Sequence, residues 1–261
     1  MSAGAFRRFV ALGDSTTEGL EDPYAAGGMG YRGWADRLAE QLVALEPDLL
    51  YANLAIRGRK LGQIRSEQLG PALAMEPDLV SIVGGVNDVL RPRADVDALA
   101  ADMDAMAAAF TESGATVLLM TYPDFGELMA LARRVSPRLH AFNDHLRDIA
   151  ARHGARLMDL AAGGPMDARL FHPDRLHANG AGHERIAFAA SEALGLPDAS
   201  EAWRVPLPPA PRASRMARLG DDARWARAHL APWVGRRLRG VSSGDGVQPK
   251  RPELLPVELS R

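Results

Sequence analysis

A serine hydroxyl is a poor nucleophile until a base removes its proton. Imidazole can do so near neutral pH, so a serine paired with a histidine is the smallest unit to look for. The sequence offers Ser15 within Gly13-Asp14-Ser15, and His177 within Asp174-Arg175-Leu176-His177. Asp174, three residues before His177, is spaced to hold the ring tautomer and stabilise the imidazolium. Attack by Ser15 on an acyl carbon would create an oxyanion, which needs fixed donors. The amides of Ser15 and Gly58 and the side chain of Asn87 are the candidates. Gly58 suits a backbone that must approach a substrate closely. Taken singly, each residue has an ordinary reading: Ser15 as a helix cap, Gly58 as a loop glycine, Asn87 as a turn residue.

The elements around them decide between these readings. Short apolar runs occur at Phe9–Leu12, Leu49–Leu54, Leu79–Val83, Val117–Met120 and Arg156–Leu160. Each is short enough for a strand and apolar enough to be buried on both faces. Between them, apolar residues recur every three or four positions over Trp34–Leu45, Val96–Phe110 and Leu139–Ala150. Asn179–Leu194 is a further helix. Strand and helix in alternation predict a parallel sheet covered by helices on both faces. Ligands of such sheets bind beyond the carboxyl ends of the strands. Ser15 follows the first run, Asn53–Gly58 the second, Gly85–Asp88 the third, and Asp174–His183 the fifth, so all four segments converge on one sheet edge.

These four blocks, in this order, resemble the SGNH (GDSL-type) hydrolases, which carry Ser, Gly, Asn and His in four separate blocks. Gly13-Asp14-Ser15-Thr16-Thr17-Glu18-Gly19 is similar to the first, Asn53–Gly58 to the second, Gly85–Asp88 to the third and Asp174–His177 to the last. Thr16 stands where many GDSL members have leucine, at a position with no catalytic role. The resemblance covers roughly residues 8–195. It implies a flavodoxin-like three-layer α/β/α sandwich on a five-stranded parallel sheet. It also implies hydrolysis of carboxylic esters or related acyl groups, with a small-molecule ester as the partner. A nucleophile elbow of the α/β-hydrolase type is disfavoured, because Thr17 occupies its second glycine position.

Other chemistry-bearing residues have weaker claims. A metal site from His172, Asp174 and His177 lacks a regular ligand motif and would leave Ser15, Gly58 and Asn87 unexplained. His172 is expected to shape the loop, and His183 to pack or hydrogen-bond near it. His140, His145, His153 and His229 are expected on solvated helix faces, and Asp88 to fix its loop. Gly27-Gly28-Met29-Gly30 lacks the Gly-Lys-Ser/Thr ending of a phosphate loop, so Glu18–Tyr31 is read as a mobile flap beside Ser15. Phe125, in Tyr122-Pro123-Asp124-Phe125-Gly126, is the candidate apolar substrate contact.

Composition narrows the field. The 261 residues are 47% apolar, enough for one substantial core, and the net charge of −2 gives no reason to expect nucleic acid. With no cysteine, disulfides, thiol nucleophiles and thiolate metal sites are excluded. No cofactor or metal is implied. No apolar run reaches the length of a membrane span and Met1–Arg8 lacks an apolar signal region, so a cytoplasmic location is expected.

Residues 1–197 read as the hydrolase domain and 198–261 as a Pro/Arg-rich extension. Arginines at 204, 212, 215, 218, 224, 227, 236, 237 and 239 lie near Trp225 and Trp233. The extension is expected to hold short helices, one capped by Asp221-Asp222 and another begun at Pro232, then a loosely ordered tail from Ser242 to Arg261. Trp225, Leu230 and Trp233 are expected to pack on the body, in preference to contacting a membrane surface or protein. The same active site would also serve an acyltransferase, which acceptor-dependent product formation would reveal. A degenerate binding module is the reading from another class, and failure to label with a fluorophosphonate probe would mark it.

Overall fold

The computed structural model describes residues 6–24, 30–163, 166–197, 199–210 and 214–258. Residues 25–29 of the expected flap lie outside these. Five strands form as the apolar runs predict: β1 (Arg8–Gly13), β2 (Leu50–Asn53), β3 (Leu79–Val83), β4 (Thr116–Thr121) and β5 (Arg156–Asp159). They are parallel, with Phe9 opposite Tyr51 on one side of β1 and opposite Leu79 on the other. β1 and β3 are almost wholly buried, which accounts for their unbroken apolar runs.

The order β5-β4-β3-β1-β2 places β1 at the point where the chain's winding reverses. Connections leave β1 and β3 in opposite directions there, opening a crevice at their carboxyl ends. The crevice is the structural reason that the segments after β1 and β3 face a ligand. Helices α2 (Gly33–Leu45) and α7 (Gly180–Leu194) cover one face. Helices α3 (Leu61–Ala74), α5 (Val96–Glu112) and α6 (Ser136–His153) cover the other. Two single-turn helices lie at strand ends: α1 (Ser15–Glu18) after β1 and α4 (Val86–Val89) after β3. The pattern of α3 is blurred in sequence by Gly62, Gly70 and Pro71, although it buries Leu61, Ile64, Gln68 and Ala72.

The sheet has six strands rather than five. β6 (Arg251–Pro256) adds antiparallel to β2, with Tyr51 opposite Leu255. The tail expected to be loosely ordered therefore supplies an edge strand. Its prolines, Pro252 and Pro256, are tolerable because an edge strand has one side without ladder bonds. The preceding helices also differ from expectation. α8 (Arg215–Trp225) is capped by Ser214, whose side chain accepts from the Ala217 amide, so Asp221-Asp222 lie inside it. It runs through a π-helical turn, Ala226–Leu230, into α9 (Ala231–Leu238). The widened turn lets a helix continue into Pro232, whose ring would clash within a regular α-helix. Among the described residues, no helix is long and apolar enough to cross a membrane.

A buried lysine anchors the extension. Lys250 Nζ lies 2.8 Å from Asp36 Oδ1 and donates to the carbonyls of Tyr31 and Arg32, each at 2.8 Å. Burial pushes its pKa below the usual lysine value, against the pull of Asp36. Tyr51 also donates to Asp36, at 2.8 Å. Lys250→Met would leave a buried carboxylate without its cation, at a cost of about 3 kcal/mol. Urea denaturation measures it; a loss below about 1 kcal/mol would mean that the Tyr24 and Tyr51 hydroxyls alone satisfy Asp36.

Candidate active site

The site begins where β1 stops. A side chain on Gly13 would overlap the Val83 carbonyl and Thr17, so glycine lets a helix start directly off the strand. Gln68 holds both backbone groups of Gly13, accepting from its amide at 2.8 Å and donating to its carbonyl at 2.9 Å. Asp14 caps α1, its Oδ1 accepting from the Thr16 amide at 3.0 Å. Ser15 is the first residue of α1, where the backbone amide has no intrahelical acceptor.

A helix of four residues cannot hold itself. Glu18, at its end and 5% exposed, pairs with Arg57 and accepts from the Arg57 amide at 2.8 Å. Asn53 donates to the Thr17 carbonyl at 2.9 Å. The turn carrying Ser15 and the loop carrying Gly58 are therefore one unit. Glu18, expected at the start of a flap, is instead an anchor. Arg57, next to Gly58 and near Asn53, is the complementary charge that sequence reasoning left unused.

The loop between β5 and α7 brings the histidine. His177 Nε2 lies 2.9 Å from Ser15 Oγ, and His177 Nδ1 lies 2.7 Å from Asp174 Oδ2. Asp174 Oδ1 accepts from the amides of Leu176, at 2.9 Å, and His177, at 3.0 Å. Burial raises the Asp174 pKa, but the hydrogen bond and charge of His177 and the two amides outweigh it, holding the group at about 2. The carboxylate is thus ionised at neutral pH.

Arg175, inside this tight turn, has φ of +63°, a region costly for a residue with a side chain. The extension steadies it. Asp222 pairs with Arg175 at 2.6 Å, the Trp225 ring lies 5.3 Å from its guanidinium, and Trp225 Nε1 donates to the Asp174 carbonyl at 2.8 Å. Nothing local in the sequence links Trp225 to Asp174.

The oxyanion candidates lie on the other side of Ser15. Gly58 has φ of +75°, and a side chain there would overlap Ser242 of the extension. Asn87, on α4, places Nδ2 3.1 Å from Asp14 Oδ2 and 3.1 Å from the Arg59 carbonyl. Both its donor directions are engaged, so donation to an oxyanion requires exchange of one of these partners. Asp88 holds the neighbouring loop as expected, accepting from the Leu61 amide at 2.9 Å.

The remaining residues also have places. Phe125 is buried edge-on against Phe171 and lines a largely apolar cavity of about 220 Å³ with Thr16 and Leu176. His172 Nε2 lies 3.2 Å from Glu21, and its amide donates to the His177 carbonyl at 2.8 Å, so it shapes the loop. The ligand-type cluster in this region is Glu21, His172 and Asp174 rather than one including His177. An ion there would compete for Asp174 Oδ2, the acceptor of His177. His183 is buried and meets the Leu20 carbonyl at 3.2 Å; burial lowers its pKa to about 4, so it is neutral. His153, expected on a solvated face, is half-buried and meets Asp104 at 2.8 Å.

Burial raises Asp14 to a pKa of about 6, overriding the Thr16 amide that lowers it. The unfolded chain ionises this group near 3.8, so the fold binds the extra proton between pH 3.8 and about 6. Asp14 therefore favours folding below that window, and the benefit is lost as pH rises through it. Asp14→Asn should remove this slope. The Tm of the variant relative to wild type should rise between pH 4 and pH 6.5 in calorimetry; an unchanged difference contradicts the burial of an ionisable Asp14.

The sequence matches the family described as GDSL-like Lipase/Acylhydrolase over residues 11–185. No curated protein matches the chain. Among solved structures, LAE5, an alpha/beta hydrolase enzyme from the metagenome of Lake Arreo, is 23% identical with a TM-score of 0.61, covering 72% of this chain and 95% of its own. A catalytic mutant of Axe2, an acetylxylan esterase from Geobacillus stearothermophilus, is 21% identical with a TM-score of 0.63, covering 75% and 97%. TesA is 23% identical with a TM-score of 0.60, covering 72% and 98%. At these identities the structures share the fold. The family match spans all four blocks and stops short of the extension. This chain belongs to the GDSL-like lipase/acylhydrolase family and is a carboxylic ester hydrolase of the SGNH type.

Proposed function

We propose that the chain hydrolyses carboxylic esters through an acyl-enzyme on Ser15, with His177 as base and Asp174 as its orienting partner. The observation that carries this reading is the continuous line Ser15 Oγ, His177 Nε2, His177 Nδ1, Asp174 Oδ2, with separations of 2.9 and 2.7 Å. His177 takes the Ser15 proton as Oγ bonds to the acyl carbon. The carbonyl electron pair moves onto oxygen, facing the amides of Ser15 and Gly58 and the Asn87 side chain. Collapse expels the alkoxide, which receives the proton from His177. Water repeats the sequence on the acyl-enzyme and frees the acid. Acyl groups of short to medium length fit the apolar cavity beside Thr16 and Phe125.

Ser15→Ala tests the reading directly. It should lower kcat on p-nitrophenyl esters on the order of 10³-fold or more and abolish fluorophosphonate labelling, with the fold retained. Unchanged turnover would refute the nucleophile.

Asn87 makes a finer test. Its exchange from Asp14 or Arg59 to the oxyanion is useful only where charge develops. Asn87→Ala should cost roughly 10²–10³-fold in kcat and less in KM. A change confined to KM would make Asn87 a substrate-binding group instead.

A further inference from the structure

The extension does more than brace the catalytic loop. Together with the starts of α3 and α4 it encloses a second cavity, of about 360 Å³, whose wall includes both Gly58 and Asn87. Trp233 and Arg236 of α9 and Ser242 beyond it form the outer side, all beyond the residues matched by the family. This cavity differs in character from the one beside Phe125. It is lined by three cations, Lys60, Arg91 and Arg236, and by one carboxylate, Asp245.

The cations are conspicuous because their neighbours are paired. Arg57 meets Glu18, Arg59 meets Glu67 and Arg65 meets Asp102. Among the described residues, Lys60, Arg91 and Arg236 form no ion pair, so their charges are not cancelled at contact distance. Asp245 is turned to the backbone, accepting from the Ser242 amide at 2.8 Å. Asp88 feels Lys60 and Arg91 at longer range, but its Oδ2 is tied to the Leu61 amide. Three cations lining one concave wall raise the local positive potential and favour an anion there. Guanidinium groups also match the geometry of carboxylate and phosphate oxygens.

We propose that this cavity selects esters bearing an anionic group, a carboxylate or a phosphate, close to the reacting carbonyl. The proposal rests on the serine-hydrolase reading, because it places the anion beside the Gly58 and Asn87 donors. Arg236 and Arg91 are then specificity residues, one supplied by the extension and one by the body. The anion can sit on the acyl side or on the alcohol side of the ester; the shared requirement is negative charge within reach of Arg91 and Arg236.

Matched pairs of substrates test this with the full chain. The acyl arm compares the p-nitrophenyl half-ester of glutaric acid with p-nitrophenyl valerate. The alcohol arm compares acetylated glycerol phosphate with acetylated glycerol. In at least one arm the anionic member should have the higher kcat/KM. That ratio should fall roughly tenfold in Arg236→Gln and in Arg91→Gln, recover in Arg236→Lys, and shrink as salt is raised. As a separate reading, calorimetry on Ser15→Ala should show phenyl phosphate binding that Arg236→Gln weakens. Ratios near one in both arms, or ratios indifferent to both arginine variants, would overturn the proposal while leaving ester hydrolysis standing. Loss of all turnover in wild type would instead overturn the underlying hydrolase reading, and this proposal with it.

Discussion

The Glu18–Arg57 pair is the constraint on which the site turns. Ser15 sits on a single-turn helix with almost no intrinsic order, because so short a helix cannot repay its own nucleation. Burying a carboxylate beside a guanidinium, and closing the contact with the Arg57 amide, ties α1 to the loop after β2. One partner alone would be a desolvated charge, so the two segments hold together or separate together. The backbones of Ser15 and Gly58 thereby inherit a fixed relationship. Asn53, donating to the Thr17 carbonyl, adds a second tie between the same segments.

The site separates its carboxylates by environment. Asp174 receives an imidazole and two amides and stays ionised to about pH 2. Asp14, only one residue before Ser15, is buried with fewer donors and holds its proton to about pH 6. Both lie within electrostatic reach of His177, but only Asp174 touches it. The difference is set first by the His177 ring and then by two amides of a tight turn, the same turn that holds Arg175 at an unfavourable φ.

Most of the hydrolase body could be read from sequence because its elements are locally encoded. Buried parallel strands give unbroken apolar runs, as in β1 and β3, and helices such as α5 show their spacing plainly. Position at strand ends then brought Ser15, Asn87 and His177 together. The extension was harder for a physical reason. β6 carries two prolines and a half-exposed, irregular pattern, and its strand character comes from the free edge of β2. Trp225 reaches Asp174, and Ser242 reaches Gly58, through tertiary approach that no periodicity records. Asn87 lies just after β3 as its spacing implies, but its engagement by Asp14 and Arg59 depends on distances that spacing does not give.

The pairing of β6 with β2 also bears on the order in which the molecule becomes complete. β2, Gly58 and Asn87 leave the ribosome well before α9, Ser242 and Lys250. Until the last segment arrives, β2 is an open edge able to recruit a foreign strand, and Asp36 waits without its cation. Contacts so distant along the chain form late, since loop closure must precede any gain from them. A nascent chain can therefore hold Ser15 and His177 in register while the wall over Gly58 is still missing. Specificity would then be the last property acquired during folding.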